Sequence, residues 1–287
     1  MKLPDNFVFS QGSLQDYRDC RRRFQLRYLQ RLAWPAVQAE PQLENERHMQ
    51  LGARFHRLVQ QHLSGVPADR LTPAAEDEKL ALWWRNFLAS RDKMPALGGK
   101  PLLELPLEAE ITLSAPLLDT RLVAKFDLIA AAPDGRLVIF DWKTSSRRPR
   151  RSWLAQRLQT RVYPYLLVRA GRDLNRGQPV SPEQVTLVYW FAGFPDDPER
   201  FSYQTADFER DAADLEALVS EISRLGPDEF DLTDVFERCR FCQYRSLCDR
   251  GEKAGFLDEG EVDDEPAGEF EADLYIDLEA VTEIVYD

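Results

Sequence analysis

Three short segments, 102–113, 120–131 and 136–142, alternate apolar and polar residues and lie close together in the middle of the chain. The triplets Ser114-Ala115-Pro116 and Pro133-Asp134-Gly135 separate them. Gly and Pro at such positions favour turns, so the three segments read as strands of a hairpin or meander. This block constrains the fold more than any other feature, because its apolar faces must be covered by the segments on either side of it.

Those segments have helical spacing. Ser13 followed by Asp16 resembles a capping box and opens a helix to about Leu32, ahead of Trp34-Pro35. Residues 44–64 place Leu51, Phe55, Leu58, Val59 and His62 on one side, until Gly65 and Pro67 stop them. A third helix, 75–91, carries Leu80, Trp83, Trp84, Phe87 and Leu88. After the meander come a helix at 152–170, strands at 184–192 and 199–204, and a helix at 207–225. The order predicts the α/β class: one mixed sheet flanked by helices, with a helical N-terminal part and no internal repeat.

The net charge of −12 is unevenly placed. Residues 252–287 hold 14 acidic side chains and one basic one, so they carry −13 and leave 1–251 at +1. The chain therefore divides into a near-neutral domain, 1–251, and an acidic tail, 252–287. A neutral body can still bind a polyanion where its basic residues cluster. No window reaches the roughly 18 apolar residues of a membrane span, and Met1–Phe9 has no long apolar run. A cytoplasmic protein without a membrane partner is expected.

The chemistry-bearing residues lie around the meander. Asp127 sits in one strand and Asp141 ends the next, with the Pro133-Asp134-Gly135 turn between them. Antiparallel pairing would set the two carboxylates side by side, where a hard divalent cation such as Mg²⁺ or Mn²⁺ removes their repulsion. Lys143, two residues on, points to the same face as Asp141 and can stabilise developing negative charge. Gly52 and His56 form a G-x₃-H spacing on the second helix, and His56 could be an imidazole ligand. Gln159 and Tyr163 lie one turn apart on the helix after the lysine.

Four cysteines complete the set. Cys239, Cys242 and Cys248 form a C-x₂-C-x₅-C trio, with Cys20 the only other. Four soft thiolates suit Zn²⁺ or an iron–sulfur cluster, and spacing does not separate these. Either would close residue 20 onto residue 248 and restrict the unfolded chain. Arg147, Arg148, Arg150 and Arg151 follow the lysine, with Arg157 and Arg161 in the next helix and Arg21, Arg22 and Arg23 near the N-terminus. Guanidinium forks suit phosphate, and no base-reading motif is present, so any DNA binding should be sequence-independent.

Taken in order, G-x₃-H, Asp, D-x-K-T and Q-x₃-Y resemble the RecB-like branch of the PD-(D/E)XK nucleases over roughly residues 8–250. The fragment F-S-Q-G-S-L-Q-D-Y-R-D-C-R-R-R-F is similar to that branch's N-terminal cysteine segment, although Arg21 stands where a Pro often follows. The resemblance implies a restriction-endonuclease-like fold and a Mg²⁺- or Mn²⁺-dependent deoxyribonuclease. It implies His56, Asp127, Asp141 and the Trp142 carbonyl as metal ligands, Lys143 as catalytic lysine, and Gln159 and Tyr163 as supports for the centre or the DNA. It also favours [4Fe-4S] over zinc, because the cysteine pattern matches the iron staple of AddB, exonuclease V and CRISPR spacer-acquisition nucleases. An exonuclease of repair or recombination is expected, or else a CRISPR spacer-processing nuclease. A non-catalytic DNA-binding or assembly subunit is the rival of another class. No G-x₄-G-K-[ST] loop occurs, so unwinding would need a helicase partner.

Overall fold

The computed structural model describes residues 3–4, 6–33, 42–94, 97–251 and 254–255. The acidic tail and Trp34-Pro35 lie outside the described residues, apart from 254–255.

Among the described residues, a six-stranded sheet forms the centre. Its strands are β1 (Val8–Ser10), β2 (Leu107–Leu117), β3 (Thr120–Ala131), β4 (Leu137–Lys143), β5 (Val185–Phe191) and β6 (Phe194–Ser202). The order is β1-β3-β4-β5-β6, with β2 on the other side of β3. β3–β4 and β5–β6 are antiparallel, while β4–β5 and β1–β3 are parallel, so the sheet is mixed. β4 and β5 are buried along their whole length. That matches their continuous apolar runs, which need cover on both faces.

Helices supply the cover. They are α1 (Gln11–Asp19), α2 (Arg21–Phe24), α3 (Gln42–Leu63), α4 (Ala68–Leu71), α5 (Glu78–Ser90), α6 (Arg151–Leu154), α7 (Leu158–Ala170) and α8 (Thr205–Arg224). Alternation along β4 assigns the two layers. Leu137 and Ile139 pack with Leu158, Val162 and Leu166 of α7 and Leu215 and Val219 of α8. Val138, Phe140 and Trp142 pack with Phe55 and Val59 of α3 and Trp83, Trp84 and Phe87 of α5. No described helix is long and apolar enough to cross a membrane.

Several expected boundaries move, each for a local reason. The first helix begins one turn early, because Ser10 caps it in a box with Ser13. It also breaks at Cys20, whose backbone is extended, before α2 and a π-turn over Gln25–Leu29. Ser114-Ala115-Pro116 is not a turn but lies inside β2, and the chain reverses after Leu118 at φ 53°. Pro116 is tolerated because, among the described residues, β2 pairs only with β3, so its missing N–H breaks no second ladder there. The expected helix at 152–170 is two, α6 and α7, separated by residues 155–157. β1 was too short to carry an alternation signal.

Candidate active site

β3 changes partners half-way along. Residues 121–123 pair with β1, and residues 128–131 pair with β4. Asp127 stands at that fork. One step beyond Leu128↔Phe140, the same register sets Asp127 opposite Asp141. There the ladder gives way to a side chain: Asp127 Oδ2 accepts the Trp142 N–H at 2.8 Å. Its other oxygen, Oδ1, lies 3.3 Å from His56 Nδ1 on α3. Burial works against the Asp127 charge, but the His56 charge and the hydrogen bonds outweigh it and hold the carboxyl below its usual range.

Asp141 and Lys143 share the face of β4 that meets α7, as alternation requires. Lys143 Nζ is 2.9 Å from Asp141 Oδ2 and donates to Gln159 Oε1 at 2.9 Å. Gln159 Nε2 donates to Asp141 Oδ1 at 2.8 Å and lies 3.2 Å from the Tyr163 hydroxyl. The Lys143 ammonium also lies 5.4 Å from the Tyr189 ring centroid. The Lys143 and Asp141 side chains are 7% and 2% exposed, so both charges depend on these partners. Gln159 thus bridges acid and lysine, a role the Q-x₃-Y spacing alone does not reveal.

Two further contacts fix the frame. Gln15 Oε1 accepts the N–H of Leu158, the first residue of α7, at 3.0 Å. No side chain of its own N-cap serves α7, so the N-terminal segment satisfies an orphan donor next to Gln159. Gly52 lets α3 approach the strand, since a Cβ there would lie 2.8 Å from Thr144 Oγ1. The G-x₃-H spacing therefore meets D-x-K-T at Gly52 and Thr144, while His56 meets Asp127. Trp142 enters through its backbone N–H, while its ring packs in the opposite layer.

The donors suit a divalent cation in kind: His56 touches Asp127, and Asp141 follows on the strand that pairs with β3. They are not preassembled, because no group of three or more His, Cys, Asp or Glu among the described residues is arranged to hold a metal. Lys143 and Gln159 engage the Asp141 oxygens instead.

The cysteines follow the same pattern. Phe24 stacks on Phe230 at 6.2 Å, Arg22 N–H donates to the Asp231 carbonyl at 3.1 Å, and Arg238 Nη1 donates to the Arg18 carbonyl at 3.1 Å. These contacts bring Cys20 into the electrostatic neighbourhood of Cys239, Cys242 and Cys248. Burial, and after it the charge on Cys20, pushes the Cys239 and Cys248 thiols up. Burial pushes Cys242 up to about 11. Here too the described residues form no ready-made metal cage.

The arginine run divides. Arg148 binds Asp197 at 2.5 Å and Glu199 at 2.8 Å, Arg151 also binds Glu199, and Arg157 lies 3.8 Å from Asp19. Arg161 binds Asp211 at 2.7 Å and Asp214 at 2.5 Å, tying α7 to α8. Arg147 and Arg150 are exposed. In the second cluster, Arg23 is locked to Asp16 at 2.8 Å and Asp19 at 3.0 Å. Arginine forks suit buried carboxylates as well as phosphate, which is why sequence alone does not tell a DNA contact from a strut.

The profile of the PD-(D/E)XK nuclease superfamily matches residues 8–249. The chain belongs to this superfamily. The match takes in every residue of the fork, from Gly52 to Tyr163, and the cysteine trio. Among solved structures, the chain is similar to a candidate exonuclease of Eubacterium rectale at 12% identity. That match covers 79% of this chain and 86% of the other, with a TM-score of 0.49. The SSO0001 protein matches at 12% identity over 86% and 87%, with a TM-score of 0.40. No curated protein matches.

Proposed function

We propose that this superfamily member is a Mg²⁺- or Mn²⁺-dependent deoxyribonuclease, acting as an exonuclease on single-stranded DNA or DNA ends in repair or recombination. One observation carries the reading. His56 and Asp127 form one pair and Asp141, Lys143, Gln159 and Tyr163 one cluster, and the two meet where β3 leaves β4, through the Asp127 bond to the Trp142 N–H and the Lys143 charge acting on Asp127. A scaffold without chemistry has no need to bury a lysine between a carboxylate and a glutamine.

His56, Asp127, Asp141 and the Trp142 carbonyl would hold the cation. A bound divalent ion lowers the pKa of water and polarises a phosphate oxygen. The rest falls to the chain itself. Lys143, fixed by Gln159 and Asp141, keeps a positive charge where negative charge develops on the phosphate. Tyr163 and Gln15 hold Gln159 and the start of α7 in register with β4. Exposed Arg147 and Arg150 are suited to meet the DNA backbone without reading sequence. A helicase or a CRISPR adaptation complex would be the kind of partner that delivers strands.

We read the four cysteines as ligands of a [4Fe-4S] cluster, with Zn²⁺ the alternative. The contacts that join residues 18–25 to 227–238 support this, because they bring Cys20 to the trio. The role is structural: metal closes a loop of some 230 residues.

Anaerobically purified protein should cut end-labelled single-stranded DNA with Mg²⁺ or Mn²⁺ and lose the activity in EDTA. A Lys143→Ala variant, compared at a temperature where its melt shows it folded, should lose cleavage by at least about 10²-fold. A Lys143→Ala protein as active as wild type would end the enzymatic reading.

A further inference from the structure

The β2–β3 ladder has a gap beside the fork. Ala109 pairs with Leu128 and Ile111 with Phe126, so the register sets Glu110 opposite Asp127, and that pair is missing. Glu110 takes a φ of 56°, a left-handed backbone that costs a residue other than Gly. The strands also swap faces there. Leu107 and Ala109 pack with the α3–α5 layer, whereas Ile111, Leu113 and Ala115 pack with the α7 layer. On β3, Leu128 and Ala130 belong to the first layer and Ala124 and Phe126 to the second. Residues two apart on a regular strand share a face, so the turn-over falls at Glu110 and Asp127.

The Glu110 side chain is mostly covered, and its Oε2 lies 2.6 Å from Lys125 Nζ. The charges of Asp127 and His56 both act on it. Lys125 is two residues before Asp127 on β3, and Glu110 is a neighbour of both: it pairs with the Lys125 ammonium, and the Asp127 charge acts on it. An ammonium on Asp127 would neutralise a metal donor and repel an incoming cation.

We propose that Glu110 is a positioning residue for the metal centre: it draws the Lys125 ammonium to itself and so leaves the Asp127 carboxylate to the divalent ion. The strained backbone at Glu110 is what turns its carboxylate to this task at the fork. The inference rests on the nuclease reading above and adds a residue pair that neither motif nor spacing marks.

The test is Mn²⁺ titration calorimetry on the full-length chain, with thermal melts and Mn²⁺-dependent cleavage kinetics alongside. Glu110→Gln should weaken Mn²⁺ binding about 10- to 100-fold, the usual effect of losing a residue that supports a ligand. Its kcat should fall at limiting Mn²⁺ and recover at saturation. Adding Lys125→Met to the same chain should bring affinity back close to wild type, and Lys125→Met alone should not weaken it. Where Glu110→Gln lowers the melting temperature, Glu110→Asn, which accepts a left-handed backbone more readily, repeats the pair. Wild-type protein that takes up no Mn²⁺ would sink the metal-centre reading itself. If wild type binds, an unchanged affinity in Glu110→Gln overturns the Glu110 role. So does a double variant as weak as Glu110→Gln, because Glu110 would then act on the cation or the fold and not through Lys125.

Discussion

Replacing Gly52 by Ala tests whether contact between α3 and β4 sets the geometry of the site. The added methyl would lie 2.8 Å from Thr144 Oγ1, against the 3.4 Å at which ordinary contact begins, an overlap of about 0.6 Å. Thr144 is buried and β-branched, so turning its side chain exchanges hydroxyl for methyl and relieves little. The helix must therefore give way. His56 lies one turn further along α3, 3.3 Å from Asp127, so it moves with the helix. Overpacking of this kind costs about 1–3 kcal/mol, visible as a lower melting temperature. A displacement of about 1 Å at a reacting centre can cost about 10²-fold in rate, so 0.6 Å should lower kcat roughly tenfold at saturating Mn²⁺. Thr144→Ala removes the clashing oxygen and leaves only a Cβ at 3.9 Å, an ordinary contact. The Gly52→Ala/Thr144→Ala protein should therefore recover most of the loss relative to Gly52→Ala. A Gly52→Ala enzyme with wild-type kcat, or a double variant no better than the single one, refutes the reasoning.

Other perturbations separate struts from contacts. Arg161→Ala should destabilise the protein by roughly 2–3 kcal/mol, since it removes a charged partner of buried Asp211, and should leave DNA affinity per folded molecule unchanged. Arg147→Ala/Arg150→Ala should weaken DNA binding and flatten its salt dependence in fluorescence anisotropy. Tyr17 and Tyr203 are both raised well above the ordinary tyrosine range, by burial first and then by Glu221 and Asp211 respectively. Their stabilisation is complete below a pH of about 10 and drains away above it, as the unfolded phenols ionise and the folded ones stay protonated. Urea midpoints should thus fall between about pH 9 and 11, and Tyr17→Phe/Tyr203→Phe should blunt that fall. Cys20→Ser should lower the melting temperature of metal-loaded protein and release its metal to a chelator; an unchanged melt would separate Cys20 from the trio.

Much of this molecule is legible from residue order. Short apolar segments at 120–131 and 136–142 around the Pro133-Asp134-Gly135 turn call for paired strands, and the pairing sets Asp127 against Asp141. Strand period 2 then assigns Lys143 to the face of Asp141, and helix period 3.6 joins Gln159 to Tyr163. These are local rules, and local rules survive without knowledge of the whole. What tertiary packing decided is where long-range contacts compete with them. Pro116 could enter a strand because, among the described residues, β2 pairs with β3 alone. Arg161 became a strut because α8 brings Asp211 to it, and Gln15 became a cap because α1 lies beside α7. Glu110 gained its place from a fork in β3 that forms only once β1, β2 and β4 have all claimed the same strand. Each of these depends on which distant group the fold brings to an unsatisfied donor or charge, and residue order does not record that distance.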